Sequence, residues 1–483
     1  MREVFAGARK GPAVGQDLLA AVAACVGLAV ALVAGARLDL LAPSAGVAAV
    51  LLLALVGLRR PMLPLFLFAA LIPIEDLGLV PGLGTLSRLV GIVFAVDYAF
   101  HRRGRLRPGA LPLWAWLYVG WAMLSVCWAI SPGTALGELA TLLQMFVMAL
   151  LVANAIIERP SVVRPLLWAY SLSASAMAAV GLYVYLSQPL VSGVRAAALP
   201  GQDPAQFAAM LLPALILGLD ELAADSAGPG RPAVRTVAGG LAALNGAAVI
   251  LSGTRGVWVA ALVGAAMIIL SVRRSGPRIA VAAGLLALCV AVLQLPGAVD
   301  LVAGRAALAI PTGGAGRLDI WAVGLSIFNS TPLIGVGFAN FPVAFTPQRV
   351  SDAAIALSVG TERAPHDIFL GALAELGVVG CAVLALFLLS LTLGHGWGRQ
   401  APVVRATLVS LATAGIFLDI LNRKQVWLVI GLAAGLAYLA REASRLPASG
   451  LGAPGKPVAA VRDGADRRPR TVSASLGSTG SYR

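Results

Sequence analysis

The sequence predicts an all-α polytopic membrane protein with about fourteen transmembrane helices and one large external loop. Three observations carry that expectation. The 483 residues are 59% hydrophobic and 12% charged, with a mean hydropathy of +0.89; a soluble chain carries roughly a quarter charged residues. Apolar stretches long enough to cross a hydrocarbon core of about 30 Å recur from Asp17 to Ala440. These stretches are continuous rather than alternating, which excludes a β-barrel.

Pro, Gly and charged residues divide the apolar runs into spans at 17–36, 42–58, 61–77, 85–100, 111–130, 136–157, 165–186, 204–220, 237–253, 256–272, 279–297, 367–393, 404–421 and 425–440. The first run follows basic residues but has no small-residue cleavage site, so it reads as a retained span. Basic residues test the count, because cytoplasmic loops collect them. Starting from Arg2, Arg9 and Lys10, every second loop is basic: Arg59 and Arg60, then Arg102 to Arg107, Arg159 and Arg164, and Arg231 and Arg235. The pattern continues through Arg273, Arg274 and Arg278, then Arg399 and Arg405, and finally Arg441 and Arg445. Both termini are therefore expected in the cytoplasm. Residues 1–445 form the transmembrane domain. The tail 446–483, rich in Pro, Gly, Ser and Arg, reads as disordered and cytoplasmic.

The net charge of +14 is spread over short loops, a topology signal rather than a nucleic-acid stripe. The four cysteines, Cys25, Cys127, Cys289 and Cys381, lie in apolar segments without metal-ligand spacing and read as packing residues. No metal and no cofactor are expected.

About seventy residues, 298–366, separate two spans on the outer face, and loops that long are usually functional. Within them "GAGRLDIWAVGLSIFNS" suits a helix lying in the interface, with Leu318, Trp321, Val323, Leu325 and Phe328 as its apolar positions. The basic residues that fall outside are Arg37, Arg88, Arg195, Arg255, Arg305, Arg317, Arg349, Arg363, Arg423 and Lys424. For Arg37, Arg305, Arg349 and Arg363 an exposed or snorkelling position is the default reading. Arg255 differs, since it sits in a very short turn, "SGTRG", where a guanidinium is costly unless an anion meets it. Arg317 opens the amphipathic helix, and Arg195 lies in "VSGVRAAALPGQDPAQF". Arginines converging on one outer pocket would hold a phosphate-bearing group, because guanidinium forks match phosphate oxygens. His366 is the one histidine of three on the outer side and titrates near neutral pH. It stands between Pro365 and Asp367 at a helix start.

"SGTRGVWVA" (252–260), "GRLDIWAVGLSIFNSTPLIGVGFANF" (316–341) and "PHDIFLGALAELGVVG" (365–380) resemble, in order, the signature blocks of the O-antigen ligase and polymerase-like family. These are bacterial membrane glycosyltransferases that use undecaprenyl-diphosphate-linked saccharides. The resemblance covers about 190–440 and implies a helical bundle similar to the C class of glycosyltransferases, in the bacterial cytoplasmic membrane, with an external active site. It implies that Arg255 and Arg317 contact the donor diphosphate and that His366 deprotonates or orients the acceptor hydroxyl. Arg195, Trp321, Asp367 and Glu375 become substrate-binding candidates. Pro332, Gly335 and Gly337 would shape the turn after the amphipathic helix, and Gly377 and Gly380 the helix after His366. Ala205 and Asp367 stand where the family commonly has Asn.

The expected function is glycosyl transfer from a polyprenyl-diphosphate-linked saccharide to a glycan or lipid-glycan acceptor, without metal or nucleic acid. The rival is a transporter of an anion or lipid-linked glycan. Transporters tend to bury ionisable residues near mid-bilayer, and the spans here hold almost none there.

Overall fold

The computed structural model describes residues 62–75, 79–80, 84–102, 106–188, 194–224, 231–307, 313–345, 364–393 and 401–445. The expected spans 17–36 and 42–58, the tail 446–483, and Arg37, Arg349, Arg363, His395 and Cys25 lie outside the described residues. In chain order the helices are α1 (Leu63–Leu71), α2 (Leu86–Arg102), α3 (Leu113–Leu124), α4 (Pro132–Glu158), α5 (Val163–Ser187), α6 (Pro204–Ala223) and α7 (Arg231–Leu251). They continue with α8 (Arg255–Ser271), α9 (Ser275–Leu293), α10 (Ala298–Ala307), α11 (Gly313–Ser330), α12 (Ile368–Thr392), α13 (Ala401–Gly415) and α14 (Lys424–Arg445). Residues 1–442 form one unit and 443–483 a second, of which only 443–445 are described.

Among the described residues seven helices, α4, α5, α6, α7, α9, α12 and α14, are long and apolar enough to cross a membrane; α3, α8 and α13 are shorter apolar helices. The expected span 61–77 is corrected by α1, which has nine residues, all buried in protein. Nine residues rise about 14 Å, less than half the hydrocarbon thickness. Pro64 opens this helix and Pro73 follows its last turn, so proline punctuation at both ends keeps it short. After it comes an antiparallel hairpin of β1 (Leu79–Val80) and β2 (Gly84–Thr85).

At the centre is α6, which packs on α5, α7, α8 and α13 and is buried on nearly all sides. Such a helix has no polar stripe to present, as its apolar sequence requires. The last helix docks by small residues. In "GLAAG" of α14, Gly431 and Gly435 lie against Ala149 O and Ala153 O of α4, where an added Cβ would come within 2.8 Å of each carbonyl. That spacing lets two membrane helices approach backbone to backbone. Lys424 at the start of α14 is buried, and its ammonium donates to Glu75 Oε2 (2.5 Å), Thr85 Oγ1 (2.6 Å) and Ser87 Oγ (2.7 Å). This knot ties the hairpin to the bundle. Arg88 is exposed.

The amphipathic segment is helical as expected, but its faces differ from the expectation. Val323 is buried with Ile320 and Ile327 against Val336, Phe341, Phe345 and Ala374, a small second core. Leu318 and Leu325, one heptad apart, form the outward stripe. Among the described cysteines, Cys127 and Cys289 are exposed rather than packed, and Cys381 is partly buried.

Candidate active site

The site is built on the turn between α7 and α8. Ser252 Oγ donates to Val249 O (2.7 Å), and the Thr254 N–H donates back to Ser252 Oγ (3.3 Å). Gly253 takes φ +63, a left-handed conformation that glycine adopts at no steric cost. Two arginines grip the turn from opposite elements. From the loop before α6, Arg195 donates through Nε to Ser252 O (2.6 Å) and through Nη2 to Thr254 Oγ1 (2.7 Å). From α10, Arg305 donates through Nε to Gly253 O (3.1 Å). The link is reciprocal, because Arg255 Nη1 donates to Arg305 O (3.0 Å). A Cβ on Gly253 would lie 3.5 Å from both Arg195 Nε and Arg305 Cγ.

Arg317 joins them electrostatically. Burial lowers the Arg317 pKa, and the neighbouring positive charges of Arg255 and Arg305 lower it further, while Asp203 opposes the shift. For Arg195 the causes are burial, then Arg305, with Asp203 again opposing and Arg317 adding to the lowering. Arg305 is lowered by burial and by Arg255. Four guanidinium groups thus share one region, and the Asp203 carboxylate acts on two of them. One helical turn beyond Arg317, and so on the same face, Trp321 has a buried indole N–H with no hydrogen-bond partner among the described residues.

His366 precedes α12 and is half-exposed, with φ +52. A non-glycine residue in that region is uncommon and marks strain held by its surroundings. The neighbouring Asp367 caps the helix: its Oδ1 accepts the N–H groups of Phe369 (2.7 Å) and Leu370 (3.1 Å). Residues 415–419 contact the starts of α8, α12 and α6. An added Cβ at Gly256, next to Arg255, would meet Phe417 at 2.5 Å, and one at Gly415 would meet Ile368 at 2.7 Å. Gln206 Nε2 of α6 donates to Asp419 O (3.1 Å) in the same segment.

The apolar run 367–393 is not one continuous helix. Gly377 has φ 69 and ψ −171, which breaks α12. The carbonyls freed by the break are taken up by the segment after α11: Val336 N–H donates to Ala374 O (3.0 Å) and Gly337 N–H to Glu375 O (2.8 Å). In return the Val378 N–H donates to Pro332 O (2.9 Å). The Glu375 carboxylate, expected among the substrate-binding residues, accepts the backbone N–H groups of Ala339 (2.9 Å) and Phe341 (3.1 Å). It is engaged by the protein's own backbone and holds the 331–341 segment onto α12.

Residues 240–385 match the family model described as O-antigen ligase. Over this segment the chain is O-antigen ligase-like. The match covers less than a third of the 483 residues, and no curated protein matches. The ligase-like segment contains Arg255, Arg305, Arg317, Trp321, His366, Asp367 and Glu375. Arg195 lies outside it and reaches in through its bonds to Ser252 and Thr254. The residue missed in the sequence is Arg305. Its one sequence signal is a positive charge in a loop that the sequence reading makes external, where arginines are sparse.

Proposed function

We propose that the protein transfers a saccharide from a polyprenyl diphosphate to an acceptor hydroxyl at the outer face of the cytoplasmic membrane, as an O-antigen ligase or surface-polysaccharide polymerase. The observation that carries this reading is the arginine convergence on the 252–255 turn inside the ligase-like segment. The bond between the anomeric carbon and the diphosphate oxygen breaks, and its electron pair leaves with that oxygen. The acceptor oxygen forms the new bond, and its proton passes to His366. Arg255, Arg317 and Arg195 stabilise the diphosphate charge, which is the larger part of the work for so good a leaving group. The unsatisfied Trp321 N–H supplies a further donor to a donor-lipid or sugar oxygen. The reading places the loop 298–366 on the outer face.

A transporter with a broken helix would use the freed carbonyls as ion ligands. Here the carbonyls of Ala374 and Glu375 accept protein N–H groups, and that weighs for the enzyme.

The test is transfer by purified protein with a lipid-linked donor. Arg255→Lys and Arg317→Lys each lose about a hundredfold in rate, since a point charge cannot reproduce a bidentate fork; a chelator changes nothing. Near-normal rates for both lysine variants would sink the reading. The orientation is checked separately by labelling single cysteines with an impermeant reagent in a background lacking the four native ones. Ala315→Cys reacts in intact cells and Ser275→Cys reacts only after permeabilisation; the reverse pattern would invert the topology.

A further inference from the structure

In the turn 331–337, after α11, backbone and side chains face opposite ways. The backbone lies against α12: a Cβ added at Gly377 would come 2.2 Å from Leu333 O and 2.5 Å from Ile334 N. Further polar groups of the turn are taken up by the protein. Pro332 O accepts the Val378 N–H (2.9 Å), Ile334 O the Trp128 indole N–H (3.2 Å) and Val336 O the Ile130 N–H (3.2 Å). The N–H groups of Val336 and Gly337 donate to Ala374 O and Glu375 O. The side chains do the reverse. Leu333 is 66% exposed and Ile334 41%, and Ile130, Val378 and Val379, joined to the turn through these bonds, are exposed as well. Trp128 also stacks near Trp121, with ring centres 5.5 Å apart.

The depth of this patch follows from α12. Its 25 residues rise about 37 Å, only about 7 Å more than a hydrocarbon core of about 30 Å. Ala374 to Val378, on which the turn packs, lie about 9–15 Å along the helix from Ile368. With α12 crossing the bilayer, they are within hydrocarbon even when all the excess length stands on one side. Irregular backbone at that depth is tolerated only where protein, not lipid, meets its polar groups, and Gly377 and the bonds above do this. We propose that the 331–337 turn is re-entrant: it enters the bilayer on the side of the 298–366 loop, with Leu333, Ile334 and Ile130 against acyl chains. Lipid is the occupant because the patch runs into the exposed Val378 and Val379 of a helix long and apolar enough to span. The turn thereby fixes the depth of α11, which carries Arg317 and Trp321, and this holds whether or not the protein transfers a saccharide.

The experiment places a nitroxide on Leu333→Cys or Ile334→Cys in otherwise cysteine-free full-length protein in phospholipid nanodiscs. Collision with oxygen, which concentrates among acyl chains, is compared with collision with a water-soluble nickel chelate. Both positions favour oxygen, as Val379→Cys in α12 does, whereas Ser275→Cys at the exposed start of α9 favours the chelate. Preference for the chelate at Leu333 and Ile334 overturns the inference and leaves the turn in water. Exclusion of both reagents also overturns it, because a second copy or another segment of this chain then covers the patch. A photoreactive benzoylphenylalanine at position 333 repeats the test with the native cysteines in place. Adducts to phospholipid support the inference, and adducts to protein alone overturn it.

Discussion

His366→Asn abolishes transfer and leaves the protein folded and able to bind donor. The backbone explains why asparagine is the informative replacement. His366 has φ +52, a region that asparagine occupies more readily than most residues, whereas alanine pays a steric penalty there. The asparagine variant therefore keeps the turn into α12 and removes only the imidazole. Losing a general base removes about a hundredfold to ten-thousandfold of rate. The measurement is the initial rate of purified protein with lipid-linked donor, alongside donor binding and the thermal midpoint. Donor binding stays near wild type, since the arginines hold the diphosphate. Asp367→Asn is the matched control: asparagine caps helices as well as aspartate, so both stability and rate are kept. Robust turnover by His366→Asn would reduce the histidine to a turn residue.

The arginines show what one sequence can and cannot reveal about a membrane site. Arg255 and Arg317 were legible because few basic residues fall in the loops read as external, where an uncompensated guanidinium needs a reason. Arg305 carries the same charge but lies 50 residues beyond Arg255 in a segment with no motif of its own. Its place depends on one tertiary bond to Gly253 O. The break in α12 was hidden for a related reason. Membrane helices tolerate glycine, so "AELGVVG" reads as continuous span. What permits a break is the neighbouring 332–337 backbone, which satisfies the freed carbonyls. Glu375 follows from the same contact. A carboxylate in an apolar run suggests substrate, yet its partners are N–H groups 34 and 36 residues upstream in the chain. Periodicity likewise found α11 but could not choose its buried face, because Ile320, Val323 and Ile327 compete with Leu318 and Leu325 for the same description.

Gly377→Ala should destabilise the protein strongly, and transfer is lost with the fold. Two costs act together. The φ of 69 with ψ of −171 belongs to a region essentially restricted to glycine, worth about 1–3 kcal/mol for any other residue. A Cβ would also lie 2.2 Å from Leu333 O and 2.5 Å from Ile334 N. Those are backbone atoms held by the Val378 and Val336 hydrogen bonds, so they cannot rotate away as a side chain would. Overpacking against them adds about another 1–3 kcal/mol. The sum is a large fraction of the 5–15 kcal/mol or so that holds a typical domain together. If the fold yields locally instead, the 332–337 segment lifts from α12. The Ala374 and Glu375 carbonyls then lose their donors, and α11, with Arg317 and Trp321, loses its seat. Thermal unfolding of the purified variant reads the first outcome and the transfer rate reads both. Gly284→Ala in α9 is the control, because nothing lies within 4 Å of its added methyl. There the substitution is neutral or stabilising by up to about 1 kcal/mol, as helix propensity dictates. A Gly377→Ala protein with wild-type thermal midpoint and wild-type rate would show that the break in α12 does not hold the site.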